Sequence, residues 1–209
     1  MGRVLDSLKQ RGMFSQVTNE AEVAKLLDTP GNAIYVGFDP TADSLHVGHM
    51  LPIMGLAMLQ RAGHIPIALV GGATGMVGDP SGRSTERNLL TADEVRHNSE
   101  CIRKQLMHFL DFSGSNAAIM ENNADWTEKL TAIEWLRDVG KHFTINYMLA
   151  KESVKRRVED RESGVSYTEF SYMILQANDF LQLFRRHNCR LQAGGSDQWG
   201  NITAGIDLI

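Results

Sequence analysis

Residues 38–49 read FDPTADSLHVGH, and the histidines at the end, His46 and His49, stand three apart with Gly48 between them. If a helix opens near His46, both rings lie on one face of its first turn and lean toward its N-terminus. Unpaired N–H groups and the helix dipole draw anions to such a terminus, and two imidazole donors there suit a polyphosphate. Gly48 would let a flat ring lie against bare backbone. Together these features suggest a nucleotide with its phosphates over His46 and His49. At the level of spacing two rivals stay open: ordinary helix-start histidines, and a His-x-x-His metal site, for which no third ligand stands nearby. Pro52 removes one helical hydrogen bond, which favours a late helix start or a slight kink.

Other polar residues could complete a site. In EFSYMILQANDF, Tyr172, Gln176 and Asp179 fall at i, i+4 and i+7, one stripe of a helix. A phenol, an amide and a carboxylate in line could grip a small polar ligand, although such a stripe is more often a solvent face. Asp79 in GDPSG reads as a turn residue and Asp197 in GSDQWG as a helix cap, and either could also serve a ligand.

The elements that must position these groups follow from the apolar pattern. Ala33–Phe38, Pro66–Gly72, Ala117–Met120 and Cys189–Gly195 read as short buried strands. Helices are expected over His46–Arg61, Thr91–Leu110, Thr127–Val139, Thr168–Arg186 and Ser196–Ile209, with capping boxes at Thr91/Glu94 and Ser166/Glu169. Strands alternating with helices of this length imply an α/β fold, a parallel sheet with helices on both faces. Ligands in such sheets sit beyond the C-terminal strand ends. DPTADSL, GGATGMVGDPSG, ENNADW and GGSDQWG each follow one of the expected strands.

The composition, 43% apolar and 22% charged, is that of a globular protein, and no run of about 18 apolar residues suggests a membrane span. MGRVLDSLKQRG lacks the apolar core of a signal peptide, so a cytoplasmic location is expected, with Cys101 and Cys189 as reduced thiols. A formal net charge of −4 gives no overall steering toward nucleic acid. The cluster Lys155, Arg156 and Arg157 reads more simply as a solvated helix face than as an RNA patch.

In order, YVGFDPTADSLHVGH, ALVGGATGMVGDPSG, LRDVGKHFTINYMLAKESV, SYTEFSYMILQANDF and LQAGGSDQWGNITAGIDLI closely resemble bacterial tyrosyl-tRNA synthetases, from about Leu5 to the last residue. HVGH is similar to that family's version of the class I HIGH signature. The resemblance implies a Rossmann-like catalytic domain that activates tyrosine with ATP and then transfers it to tRNA(Tyr). It implies that Tyr35 and Asp179 hold the substrate phenol and that Asp79, Tyr172 and Gln176 hold its ammonium, with Asn123 and Gln192 beside them. Thr41, His46 and His49 would contact the ATP phosphates. Asp39, Gly48, Asp197 and Gln198 would lie near the adenosine and the reacting carboxylate. ATP is then a substrate with Mg2+ on its phosphates, and no protein-bound metal is expected.

The family continues past GIDLI into a mobile KMSKS-type loop and tRNA-binding parts, so residues 1–209 are expected to be an N-terminal catalytic fragment. Residues 1–30 would be a helical lead-in, and residues 126–158 part of a homodimer interface. Val36, Ala124, Asn178 and Ala193 depart from residues common around the family's pocket. Two other readings remain: the related tryptophanyl enzymes, and a non-catalytic tyrosine- or RNA-binding module derived from a synthetase.

Overall fold

The runs AIYVGF and IPIALV form the two central strands, β1 (Ala33–Phe38) and β2 (Ile65–Val70), in a computed structural model that describes residues 2–79, 90–151, 154–155 and 165–209. They pair in parallel from Ala33↔Ile65 to Phe38↔Val70. β3 (Ile119–Asn122) adds beside β2, and β4 (Leu191–Gln192) adds beside β1, giving the order β3-β2-β1-β4. The chain winds outward from β1 in one direction and then returns to its other side. The sheet therefore has its switch point between β1 and β4, where open α/β sheets place ligands.

Side-chain alternation explains why these strands lack a polar face. Ala33, Tyr35, Ile67 and Leu69 point to one side, where they pack with Trp126, Phe180 and Leu183. Val36, Phe38 and Ala68 point to the other, against Ile53, Leu56, Ile102 and Leu106. Both faces are covered, as a parallel sheet requires.

Four of the five expected helices are present with shifted ends. α1 (Arg3–Gln10) and α2 (Glu20–Leu27) occupy the expected lead-in and pack with Ile34 and Leu59. α3 (Val47–Arg61) follows β1 and continues past Pro52, which lies inside it, so the late start is not realised. α4 (Thr74–Val77) is one turn after β2. α5 (Ala92–Leu106) opens with the Thr91/Glu94 capping box and stops four residues before Leu110.

The region expected as a helix over Thr127–Val139 is instead broken. α6 (Ala124–Thr127) ends, a Thr131/Glu134 capping box starts the short α7 (Ala132–Glu134), and the backbone then loosens into a π turn over Trp135–Val139. A second cap signal inside the periodic stretch explains the break. α8 (Ile145–Leu149) follows.

α9 (Tyr167–His187) is the longest helix. Ser166 caps it by accepting from the Glu169 amide, while Glu169 itself is buried and only this half of the expected box forms. Arg185, Arg186 and His187 fill its last turn, complementing the dipole, and Asn188 closes it at φ 51, a conformation asparagine tolerates. A three-residue 3-10 turn, Ser196–Gln198, leads into α10 (Trp199–Leu208), which packs along α9. No helix among the described residues is long and apolar enough to cross a membrane. Cys101 and Cys189 are free, and burial pushes the Cys189 thiol up to about 12. Lys155 is described and exposed, whereas Arg156 and Arg157 lie outside the described residues.

Candidate active site

The C-terminal ends of β1 and β4 open into a cavity of about 340 Å3. Of the residues singled out in the sequence, it is lined by Tyr35, Asp39, His46, Gly48, His49 and Asp79, by Asn123, Tyr172, Gln176 and Asp179, and by Gln192, Asp197 and Gln198. Thr41 is the exception. Its amide turns back onto the Asp39 carbonyl, and its side chain is exposed on the loop outside the cavity wall.

One end of the cavity is buried. The stripe Tyr172, Gln176, Asp179 does not face water: Tyr172 is 4% and Asp179 2% exposed. α9 lies across the sheet and turns this stripe toward the strand ends, so a pattern that usually marks a solvent face becomes a pocket wall. Asp179 accepts from Trp126 Nε1 at 2.8 Å and from Asn123 Nδ2 at 2.9 Å. Asn123 is itself fixed by the Ala73 amide at 2.7 Å and donates also to Thr74 Oγ1. Thr74 in turn donates to Asp39 Oδ1, and Tyr172 Oη donates to Asp39 Oδ2, each at 2.8 Å. A continuous hydrogen-bond chain thus runs from Trp126 to Tyr172.

Gly71 makes room for this chain, because a Cβ there would overlap Asp39 Oδ1 and Thr74 Oγ1. Burial pushes the Asp179 carboxyl up to about 7 against the downward pull of its bonds to Asn123 and Trp126. Burial, then Asp179, holds the Tyr35 phenol well above its usual range. Tyr35 Oη and Gln192 Oε1 are buried without a hydrogen-bond partner among the described residues. Buried polar atoms are rarely left so, and in a cavity wall they point to a ligand.

The other end is open. His46 is the N-cap of α3, and its Nδ1 accepts from the Gly48 amide at 3.1 Å. His49 Nδ1 accepts from the His46 amide at 3.1 Å, completing a capping box made of two imidazoles whose centroids are 3.9 Å apart. The ring against the bare backbone of Gly48 is that of His46, since a Cβ there would stand 2.8 Å from His46 Cε1. Burial and the neighbouring His46 lower the pKa of His49. Pro52, also in the wall, cannot donate to the Gly48 carbonyl one turn earlier.

A carboxylate cluster spans the two ends. Gln198 Nε2 donates to Asp79 at 2.7 Å and to Asp197 at 2.8 Å, and Asn201 Nδ2 bridges Gln176 and Gln198 at 3.1 Å each. Asp197 therefore holds a side-chain bond rather than capping a helix. Among the described residues of the lining there is no lysine or arginine.

Trp126, Thr74, Asn201 and Gly71 were not singled out in the sequence. Trp126 had a signal, since it ends the ENNADW loop after the third strand. Thr74 and Asn201 had none beyond lying in GGATG and QWGN. Of the four departures, Val36 and Ala193 line the cavity, whereas Ala124 and Asn178 do not, Asn178 being bonded to Gln182.

A parallel sheet with its site at the switch point, entered through HVGH, defines a class, and comparison names it. Residues 28–209 match the model of the class I tRNA synthetases (W and Y), and the chain belongs to that family. Within it, the chain is 59% identical over 210 residues to the tyrosine–tRNA ligase of Bacillus velezensis, covering all of this chain and 49% of that protein. It is 58% identical over 205 residues to that of Rhodopirellula baltica, covering 98% and 47% respectively. The chain thus spans about half the length of these relatives. Among solved structures, a C-terminally truncated Aspergillus nidulans mitochondrial tyrosyl-tRNA synthetase superposes with a TM-score of 0.87 at 34% identity, over 98% of this chain and 60% of that one. The Archaeoglobus fulgidus enzyme, solved with L-tyrosine, has a TM-score of 0.69 at 20% identity over 91% of this chain and 54% of that one, a likeness of fold alone.

Proposed function

We propose that this chain is the tyrosine-activating part of a tyrosine–tRNA ligase. The observation that carries the reading is the pairing of a buried, unpartnered phenol donor, Tyr35, with the clamped carboxylate Asp179 on the wall of one cavity. A substrate phenol can accept from the first and donate to the second. Asp79, Tyr172 and Gln176 then meet the substrate ammonium, which suits a lining of four carboxylates, Asp39, Asp79, Asp179 and Asp197. Asn123 fixes Asp179, and Gln192 completes the amino-acid end.

ATP enters as its magnesium complex at the open end, with its phosphates over His46 and His49 and Thr41 at the mouth. Gly48, Asp39, Asp197 and Gln198 lie toward the adenosine. The tyrosine carboxylate attacks the α-phosphorus, a phosphoanhydride bond breaks in line, and pyrophosphate carries away the charge. No protein nucleophile is needed, so the residues act by positioning and by donating hydrogen bonds to the moving charge. The tyrosyl group then passes from the adenylate to tRNA(Tyr), forming an ester and releasing AMP, a step that belongs to the whole ligase.

A homodimer is part of this proposal. Ile133, Leu136 and Ile145 are each more than half exposed in the region expected to meet a second copy. Titration calorimetry with tyrosine and tryptophan tests the amino-acid assignment. Tyrosine is expected to bind at least tenfold tighter, and the reverse order overturns the reading.

A further inference from the structure

Between β1 and α3 the chain crosses residues 40–46 without helix or strand, and Thr41 to Ser44 are exposed. This segment nevertheless decides where α3 starts, and so where His46 and His49 stand. A loop without its own regular bonds must be held from outside. α5 does this with two side-chain amides. Asn98 Nδ2 donates to the Pro40 carbonyl at 3.1 Å. Gln105 Oε1 accepts from the Leu45 amide at 3.0 Å, while its Nε2 donates to the Asp43 carbonyl at 3.1 Å.

The Gln105 amide thus reads backbone groups two residues apart, as a neighbouring strand would. Asn98 and Gln105 are seven residues apart, two helical turns or about 10.5 Å, which lets one helix face bracket the loop from Pro40 to Leu45. The Leu45 side chain packs on the cluster that contains Ile102 and Leu106 of the same helix. No residue of α5 lines the cavity.

We propose that Gln105, supported by Asn98, is a positioning residue for the nucleotide end of the cleft: it splints the 40–46 loop and thereby sets the two histidines. The inference rests on the reading of His46 and His49 as phosphate contacts. It separates the two ends of the cavity, because the buried end is held by side-chain bonds among Asn123, Thr74, Trp126, Asp179 and Asp39, none of them a residue of this loop.

The test uses the whole 209-residue chain and the variants Gln105→Met, Gln105→Glu and Asn98→Leu. Gln105→Met keeps the length and removes both bonds. Amide exchange at Leu45 should quicken about tenfold or more, ATP affinity should fall about fivefold, and tyrosine affinity should stay within about twofold, the scale of one or two net hydrogen bonds. Gln105→Glu keeps the acceptor for Leu45 and loses the donor to Asp43, so its Leu45 exchange should lie between the wild type and Gln105→Met. Asn98→Leu should give the smaller loss of ATP affinity. Unchanged Leu45 exchange in Gln105→Met, or equal losses of ATP and tyrosine, would overturn the splint. ATP affinity indifferent to His46→Ala would instead overturn the phosphate reading, leaving the exchange result to decide the splint.

Discussion

At the buried end of the cleft, proposed to hold the amino acid, Asn123, Asp179 and Tyr172 are at most 4% exposed and joined in one hydrogen-bond chain, whereas at the open end, proposed to hold the nucleotide, His46 and Gly48 are exposed and held locally by a helix cap. The difference corresponds to two kinds of recognition. A buried end discriminates because a ligand that fails to match leaves polar groups unpaired, at about 1–3 kcal/mol for each group. An open end offers donors to a charged, hydrated ligand and gains little from excluding others. Under the proposed function, rigidity is therefore concentrated where neighbouring amino acids must be told apart.

The sharpest way to break this contrast is at Asp179. In Asp179→Asn one amide hydrogen must face Trp126 Nε1 or Asn123 Nδ2, donor against donor. Tyrosine affinity is expected to fall on the order of 100-fold, about 3 kcal/mol, the upper range for bonds to a charged group. ATP affinity should change less than about twofold, and calorimetry of both ligands checks the split.

The same carboxyl carries a signature in stability. Its folded pKa of about 7 lies above the ordinary value near 4. Asp179 thus contributes stability that is fully present below about pH 4 and is lost as pH rises through 7, with a slope of at most about 1.4 kcal/mol per unit. Denaturant unfolding between pH 4 and 8 should show this decline in the wild type and a flatter profile in Asp179→Asn.

Gly71→Ala attacks both ends together, because its methyl group would displace Asp39 and Thr74. Overpacking of this kind costs about 1–3 kcal/mol, read as a lower denaturation midpoint with weaker binding of both ligands.

The mildest change is at His46. His46→Ala removes the cap of α3 and should cost about 1 kcal/mol of stability, while His46→Asn restores a good cap and should recover it. Neither variant should alter tyrosine affinity more than about twofold. Both should weaken ATP binding, since neither presents an imidazole to the phosphates.

How far the sequence revealed each end follows from the same physics. The open end was readable because a helix start, a glycine and two histidines are adjacent in the chain. The sheet was readable because both faces are buried and leave apolar runs, although β4 shrank to two paired residues. The buried end was hidden. Tyr172, Gln176 and Asp179 have the spacing of a solvent face, and only the packing of α9 across the strand ends turns them inward. The resemblance to a known family supplied that assignment, and the residue pattern alone did not. Trp126 and Thr74 were missed for a related reason: their partners Asp179 and Asp39 lie 53 and 35 residues away. The loss of a single helix over Thr127–Val139 shows the converse, where a local cap at Thr131 overrode a periodic pattern.

Titration calorimetry of the unmodified chain with tyrosine and with phenylalanine compares ligands that differ by one hydroxyl. Two buried partners left unpaired by phenylalanine should make tyrosine bind on the order of 100-fold tighter or more. Equal affinities would mean that Tyr35 and Asp179 do not meet a phenol, and the assignment of the buried end would fall.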